Sequence, residues 1–267
     1  MCFLLLLALS ASARIRAVQH PNALPSPKSV MWIAAHPDDE AIAAPLLSWW
    51  CRDNNARCAF LIATRGEAGN CVRSEGCAPD IASVRSGEAG SASQYFKADL
   101  ILLSLPDGGG SEPPSWQPSI DTPDVVSALA GYIQAFKPEI ILTFDPRHGT
   151  TCHPDHRALA ADVLEAVKQL SFQPQVYLLE TRVTVTLDPF AIRFMSAGSA
   201  AEKFDANQPL SSTHNSAWAA ITEDMKRHPS QFDSRWIQAV ENTPQSDRAV
   251  YLAPAETILH ENVSTCP

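Results

Sequence analysis

Apolar residues along this chain come in short runs separated by stretches of helical spacing. Ser29 to Ala35 is apolar after its first residue and stops at His36-Pro37, and from Asp39 to Trp50 the pattern continues with helical spacing. The first pattern predicts a strand buried on both faces, the second a helix packed over it. The unit repeats, with Cys58 to Ala63 as strand, Thr64 to Pro79 as a loop rich in Gly and Cys, and Asp80 to Phe96 as helix. Leu100 to Leu105 predicts a third strand, Asp107 to Pro118 a Gly/Pro loop, Thr122 to Phe136 a helix, Glu139 to Phe144 a fourth strand and Pro154 to Leu170 a helix. Val176 to Val185 reads as one or two more strands. Beyond Met195 the periodicity fades, and Ser216 to His228 is the helical candidate there. Repeated βα units joined by right-handed crossovers predict an α/β fold, a Rossmann-like, doubly wound, mostly parallel sheet with helices on both faces. Such sheets bind ligands beyond the carboxyl ends of their strands, so function is to be sought in the loops after the strands.

Composition narrows the ligand. The chain has 267 residues, 45% of them hydrophobic, and a net charge of −9. An acidic balance argues against nucleic acid, whose phosphates need a basic face. No GxGxxG follows the first strand and no GxxxxGK[ST] occurs, so nucleotide binding has no support. No apolar run reaches the ~20 residues of a membrane span. The N-terminus joins an apolar block to Ala11-Ser12-Ala13, which reads as an export signal over 1–13, cleaved after Ala13 and followed by a Pro-rich lead over 14–28 and one domain over 29–267. The expected location is an exported compartment: periplasm, extracellular medium or secretory lumen. Of seven cysteines, six remain after that cleavage, an even number that suits an oxidising compartment. Their pairing is open, although Cys51 with Cys58 and Cys71 with Cys77 are close enough to staple short loops. Trp49 and Trp50 read as core, and Trp116 as an aromatic that faces substrate.

Two clusters stand at predicted strand ends: His36-Pro37-Asp38-Asp39-Glu40 after the first strand, and His153-Pro154-Asp155-His156 at the helix after the fourth. Asp and Pro are what helix starts favour, but capping gives no reason for three histidines at matching strand ends. His, carboxylate and His make a usual catalytic zinc set that leaves one position for water. Neighbouring carboxylates in a tight turn diverge, so one of Asp38 and Asp39 binds metal while the other takes a proton from the water. His153 and His156, three apart in one helical turn, share a face.

Ala35-His36-Pro37-Asp38-Asp39-Glu40 together with His153-Pro154-Asp155-His156-Arg157 resembles the PIG-L/LmbE-like zinc N-deacetylases, which remove acetyl groups from N-acetylglucosaminyl compounds. Thr64-Arg65-Gly66-Glu67, Arg85 to Glu88, Pro106-Asp107-Gly108 and His228-Pro229-Ser230-Gln231 fall in the family's order. The resemblance implies zinc, or another divalent metal such as Fe2+, on His36, Asp39 and His156. It makes Asp38 the general base, His153 a protonated electrophile, Asp155 its orienting partner, and Arg85 and Asp107 contacts to sugar hydroxyls. Thr151 departs from the family, since several members carry a tyrosine there. The implied partner is a small molecule or glycoconjugate bearing N-acetylglucosamine, which loses acetate to leave a free amine. The readings set against this are a metal-dependent phosphoesterase and a catalytically decayed carbohydrate-binding protein.

Overall fold

The computed structural model describes residues 24–110, 124–198, 201–258 and 266; the expected signal at 1–13 and Trp116 lie outside the described residues. Strand β1 (Ser29–Ala34) leads into α1 (Glu40–Leu47), which widens into a π-type turn over Ser48–Asp53. There follow β2 (Arg57–Thr64), α2 (Ile81–Phe96), β3 (Ala98–Leu105), α3 (Val125–Phe136) and β4 (Ile140–Phe144), in the predicted order. A single turn, α4 (Gly149–Cys152), then precedes α5 (Pro154–Lys168). The predicted Val176 to Val185 region divides in two: β5 (Gln175–Leu179) joins the main sheet, whereas β6 (Thr181–Leu187) pairs with β7 (Phe190–Ser196) in a separate hairpin. Strand β8 (Glu202–Asp205), helices α6 (Ala219–Met225) and α7 (Ser234–Glu241), strand β9 (Ala249–Pro254) and α8 (Ala255–Ile258) complete the described chain.

Seven strands form the main sheet in the order β3-β2-β1-β4-β5-β9-β8. It is parallel from β3 to β5, and β9 and β8 add an antiparallel margin. Side chains alternate across a strand, and in β1 both faces are apolar. Val30, Trp32 and Ala34 meet a layer that includes α1, α6 and α7, while Met31, Ile33 and Ala35 meet one that includes α3 and α5. Trp50 is fully buried, with its indole N–H donating to the Pro25 carbonyl. Helix starts follow local capping chemistry, with the Asp80 carboxylate accepting from the Ser83 N–H ahead of α2 and Asp124 accepting from Val126 ahead of α3.

Three disulfides join Cys51 to Cys58, Cys71 to Cys77 and Cys152 to Cys266. From β1 the chain winds outward through β2 to β3, then returns to the other side of β1 as β4. The strand order reverses between β1 and β4, and at such a switch point the two connecting loops diverge and leave a crevice. Both histidine clusters border that crevice.

Candidate active site

The turn after β1 is built by its own carboxylate. Asp39 Oδ2 accepts hydrogen bonds from the N–H groups of Ala35 (3.0 Å) and His36 (2.8 Å). Its other oxygen, Oδ1, lies 3.0 Å from Nε2 of His156. Across the crevice, the Gly149 carbonyl accepts the Nδ1–H of His156 at 2.9 Å. That bond fixes the ring and turns Nε2 toward Asp39 and Nδ1 of His36, 3.3 Å away. Gly149 has φ +50, and a Cβ there would stand 2.8 Å from the His156 Cβ, so the loop needs glycine for both backbone and space. The Phe144 ring stacks on His156 with centroids 4.1 Å apart. His36, Asp39 and His156, the three predicted metal-ligating residues, thus converge from β1 and α5, and all are buried.

Asp38 has φ 99, and its N–H donates to Glu40 Oε2 at 3.2 Å. Its carboxylate accepts from Arg85 Nη2 at 2.9 Å. Arg85, buried on α2, also donates to the carbonyls of Gly66 and Pro37. Gly66 is needed there, because a Cβ would fall 2.3 Å from the guanidinium. Arg85 lines the crevice, yet its hydrogen bonds go to Asp38 and the two loops that hold it. Burial pushes the Asp38 carboxyl up to about 6, with Arg85 pulling down and Asp39 pushing up.

Burial alone would hold the His36 imidazole down, but the surrounding carboxylates of Asp107, Asp155 and Asp39 raise it well above its ordinary value. Asp39 is held well below the usual carboxylate range, since the charge and hydrogen bond of His156 outweigh burial. Asp107 accepts from the N–H groups of Ala68 (3.1 Å) and Gly109 (2.9 Å), with Oδ1 3.7 Å from His36 Nε2.

His153 differs from the expectation. Burial, then the charges of His156 and His36, lower it to about 4, so it is neutral at pH 7 rather than protonated. Its Nδ1 accepts the Asp155 N–H at 3.3 Å, which leaves the proton on Nε2 as a neutral donor. The Asp155 carboxylate, expected to orient His153, lies instead against His36, with Oδ2 3.1 Å from Nε2. What Asp155 offers His153 is its backbone N–H.

Behind Asp38 stands a buried group to which the sequence reading gives no role. Glu40 Oε1 lies 2.8 Å from Nε2 of His228, with Asp224 close by. Both histidine and carboxylate are fully buried, and His228 is raised to about 9, the charges of Glu40 and Asp224 outweighing burial. An acidic residue in the first turn of a helix is what the macrodipole favours, so Glu40 carries no distinct signal. Cys152, adjacent to His153, is bonded to Cys266, so its sulfur is not available as a thiolate ligand. A polar cavity of about 320 Å3, reached by Arg85, Asp107, His153 and Gln231, opens over Asp38, Asp39 and His156.

Known proteins resemble this chain in sequence and in fold. A 1D-myo-inositol 2-acetamido-2-deoxy-alpha-D-glucopyranoside deacetylase of Kineococcus radiotolerans is 29% identical over 155 residues, which span 50% of this chain and 43% of that protein. A probable N-acetyl-alpha-D-glucosaminyl L-malate deacetylase 2 of Bacillus cereus is 26% identical over 79% of this chain and 94% of its own length. The 4-carboxy-2-hydroxymuconate hydratase GalB of Pseudomonas putida KT2440 superposes with a TM-score of 0.59 at 16% identity, over 89% of this chain and 100% of that one. That likeness shows the α/β fold alone, which carries more than one chemistry. The family described as PIG-L, GlcNAc-PI de-N-acetylase, matches residues 31–167, a stretch that contains both histidine clusters. The chain belongs to the PIG-L family of metal-dependent N-deacetylases.

Proposed function

We propose that this protein hydrolyses the N-acetyl group of a GlcNAc-containing sugar or glycoconjugate, using zinc held by His36, Asp39 and His156. The observation that carries the reading is how close the ligand atoms of His36 and Asp39 stand to Nε2 of His156. Donors about 2.0–2.1 Å from a tetrahedral zinc stand roughly 3.3 Å from one another. Nε2 of His156 lies 3.3 Å from His36 Nδ1 and 3.0 Å from Asp39 Oδ1. Two histidine nitrogens and an anionic oxygen fit the ligand preference of zinc, and of Fe2+ as the alternative. The bound cation would polarise an amide carbonyl and acidify a water.

The remaining work falls to the chain. Asp38, held by Arg85 and by Glu40 through its own N–H, takes the proton of the attacking water. A carboxyl raised to about 6 is matched to taking a proton from water and returning it to the leaving nitrogen near neutral pH. His153 Nε2–H donates to the developing oxyanion as a neutral electrophile. Water adds to the carbonyl carbon, the C–N bond breaks, and acetate and a free amine leave. Arg85 and Asp107 border the cavity that takes the sugar hydroxyls. Three disulfides and the apolar N-terminal block support export of a single domain over 29–267.

The test is acetate release from free GlcNAc, chitooligosaccharides and GlcNAc-inositol compounds, with and without chelator. Release that chelation stops and zinc restores is expected. Phosphate release from sugar phosphates without acetate release would favour the phosphoesterase reading, and sugar binding without turnover in zinc-loaded protein would favour the decayed one.

A further inference from the structure

Asp38, Asp39 and His156 line not one cavity but two. Beside the polar one lies a second, of about 400 Å3, walled mainly by apolar side chains: Val183 and Val185 of β6, Ile192 and Phe194 of β7, Met225 of α6 and Trp236 of α7. Thr151, exposed and small, stands at its edge next to His156. The reacting groups therefore sit at the boundary between a hydroxyl-binding chamber and an oily one.

An amide carries one substituent on nitrogen and another on the carbonyl carbon, and these leave the reacting centre in opposite directions. With the sugar on nitrogen seated in the polar cavity, the carbon substituent is directed into the apolar one. A methyl group occupies roughly the ~30 Å3 of a water and fills little of that space. A volume of about 400 Å3 falls instead in the range of about 300–1,000 Å3 typical of sites that enclose whole small molecules.

We propose that the apolar cavity receives the acyl chain of the substrate, and that the preferred substrates are amino sugars N-acylated with a medium-chain fatty acid rather than with acetate alone. The inference rests on the amide hydrolysis proposed above. Its balance is the same: water adds to the carbonyl carbon, the C–N bond breaks, and a fatty carboxylate and an amine are released. Burying successive methylenes raises kcat/KM by roughly fourfold each until the cavity is full.

The test compares glucosamine N-acylated with acetyl, butyryl, hexanoyl and octanoyl groups, read as amine release by the zinc-loaded full chain. The octyl glycoside of GlcNAc serves as the arm that places the same alkyl group on the aglycone. A rise with acyl length, and none with the octyl glycoside, is expected. Acetyl cleavage with no gain along the acyl series overturns this inference and leaves deacetylation standing. A gain with the octyl glycoside in place of the N-octanoyl compound assigns the cavity to the aglycone and also overturns it. Cleavage of no N-acyl sugar at all overturns both readings. Val183→Trp and Val185→Trp, the second at an exposed position that tolerates bulk, should return the octanoyl-to-acetyl ratio toward one. An unchanged ratio in either variant, folded by its melting curve, counts against the cavity.

Discussion

Asp38 pays in backbone energy for where its carboxylate points. A non-glycine residue at φ 99 costs about 1–3 kcal/mol, and the N–H bond to Glu40 and the ion pair with Arg85 offset it. Asp39, one residue later, spends one oxygen on two backbone N–H groups and turns the other toward His156. The two carboxylates thus diverge into a base and a ligand. Asp38→Asn should cut acetate release by at least about a hundredfold, the usual scale of a lost general base, while the protein keeps its zinc on elemental analysis. His156→Ala should instead lose the metal and the activity together. Normal turnover by Asp38→Asn would end the assignment of the base.

Among elements, the short α4 and the turn into α5 have the most consequence for the site. Gly149, Thr150 and Cys152 all have positive φ within four residues, and the segment ends at His153, which caps α5. Asp145 and Glu180 anchor it through Arg147, and the Cys152–Cys266 disulfide ties it to residue 266. Gly149→Ala meets both an unfavourable backbone and the His156 Cβ, so stability should fall by about 1–2 kcal/mol or more, with activity falling further because His156 is displaced. Gly131→Ala is the contrast: on α3, with open space around it, the change should stabilise by about 0.5–1 kcal/mol. Denaturant melts of the two variants separate the effects, and equal shifts would show that the loop carries no special constraint.

At the scale of the molecule, the C-terminal third closes the site from behind. Its His228 meets Glu40 of α1, and the charges facing this histidine are Glu40, Asp224 and Asp38. With a folded value of about 9, above the unfolded 6.5, His228 contributes stability that is complete below pH 6.5 and lost as pH rises toward 9. The melting temperature should therefore decline between pH 6.5 and 9, and His228→Gln should flatten that decline. A wild-type curve that rises over this interval would contradict the buried ion pair.

The β1 to β4 frame and both histidine clusters were legible in the chain itself, because a strand buried on both faces leaves an unbroken apolar run and a metal site needs His and Asp in close sequence. Strand β8 was not: it is four residues long, and a short antiparallel edge leaves too little periodicity to detect. The division of Val176 to Val185 between two sheets was equally hidden, since one extended run serves either. Pairwise geometry also belonged to the tertiary structure alone. Local sequence put Asp155 beside His153, and only the packing of α5 against β1 placed its carboxylate on His36. Neutral His153, buried Glu40 with His228, and an apolar chamber beside the polar one arise from residues tens to hundreds of positions apart, whose burial and charge have no value until the chain brings them together.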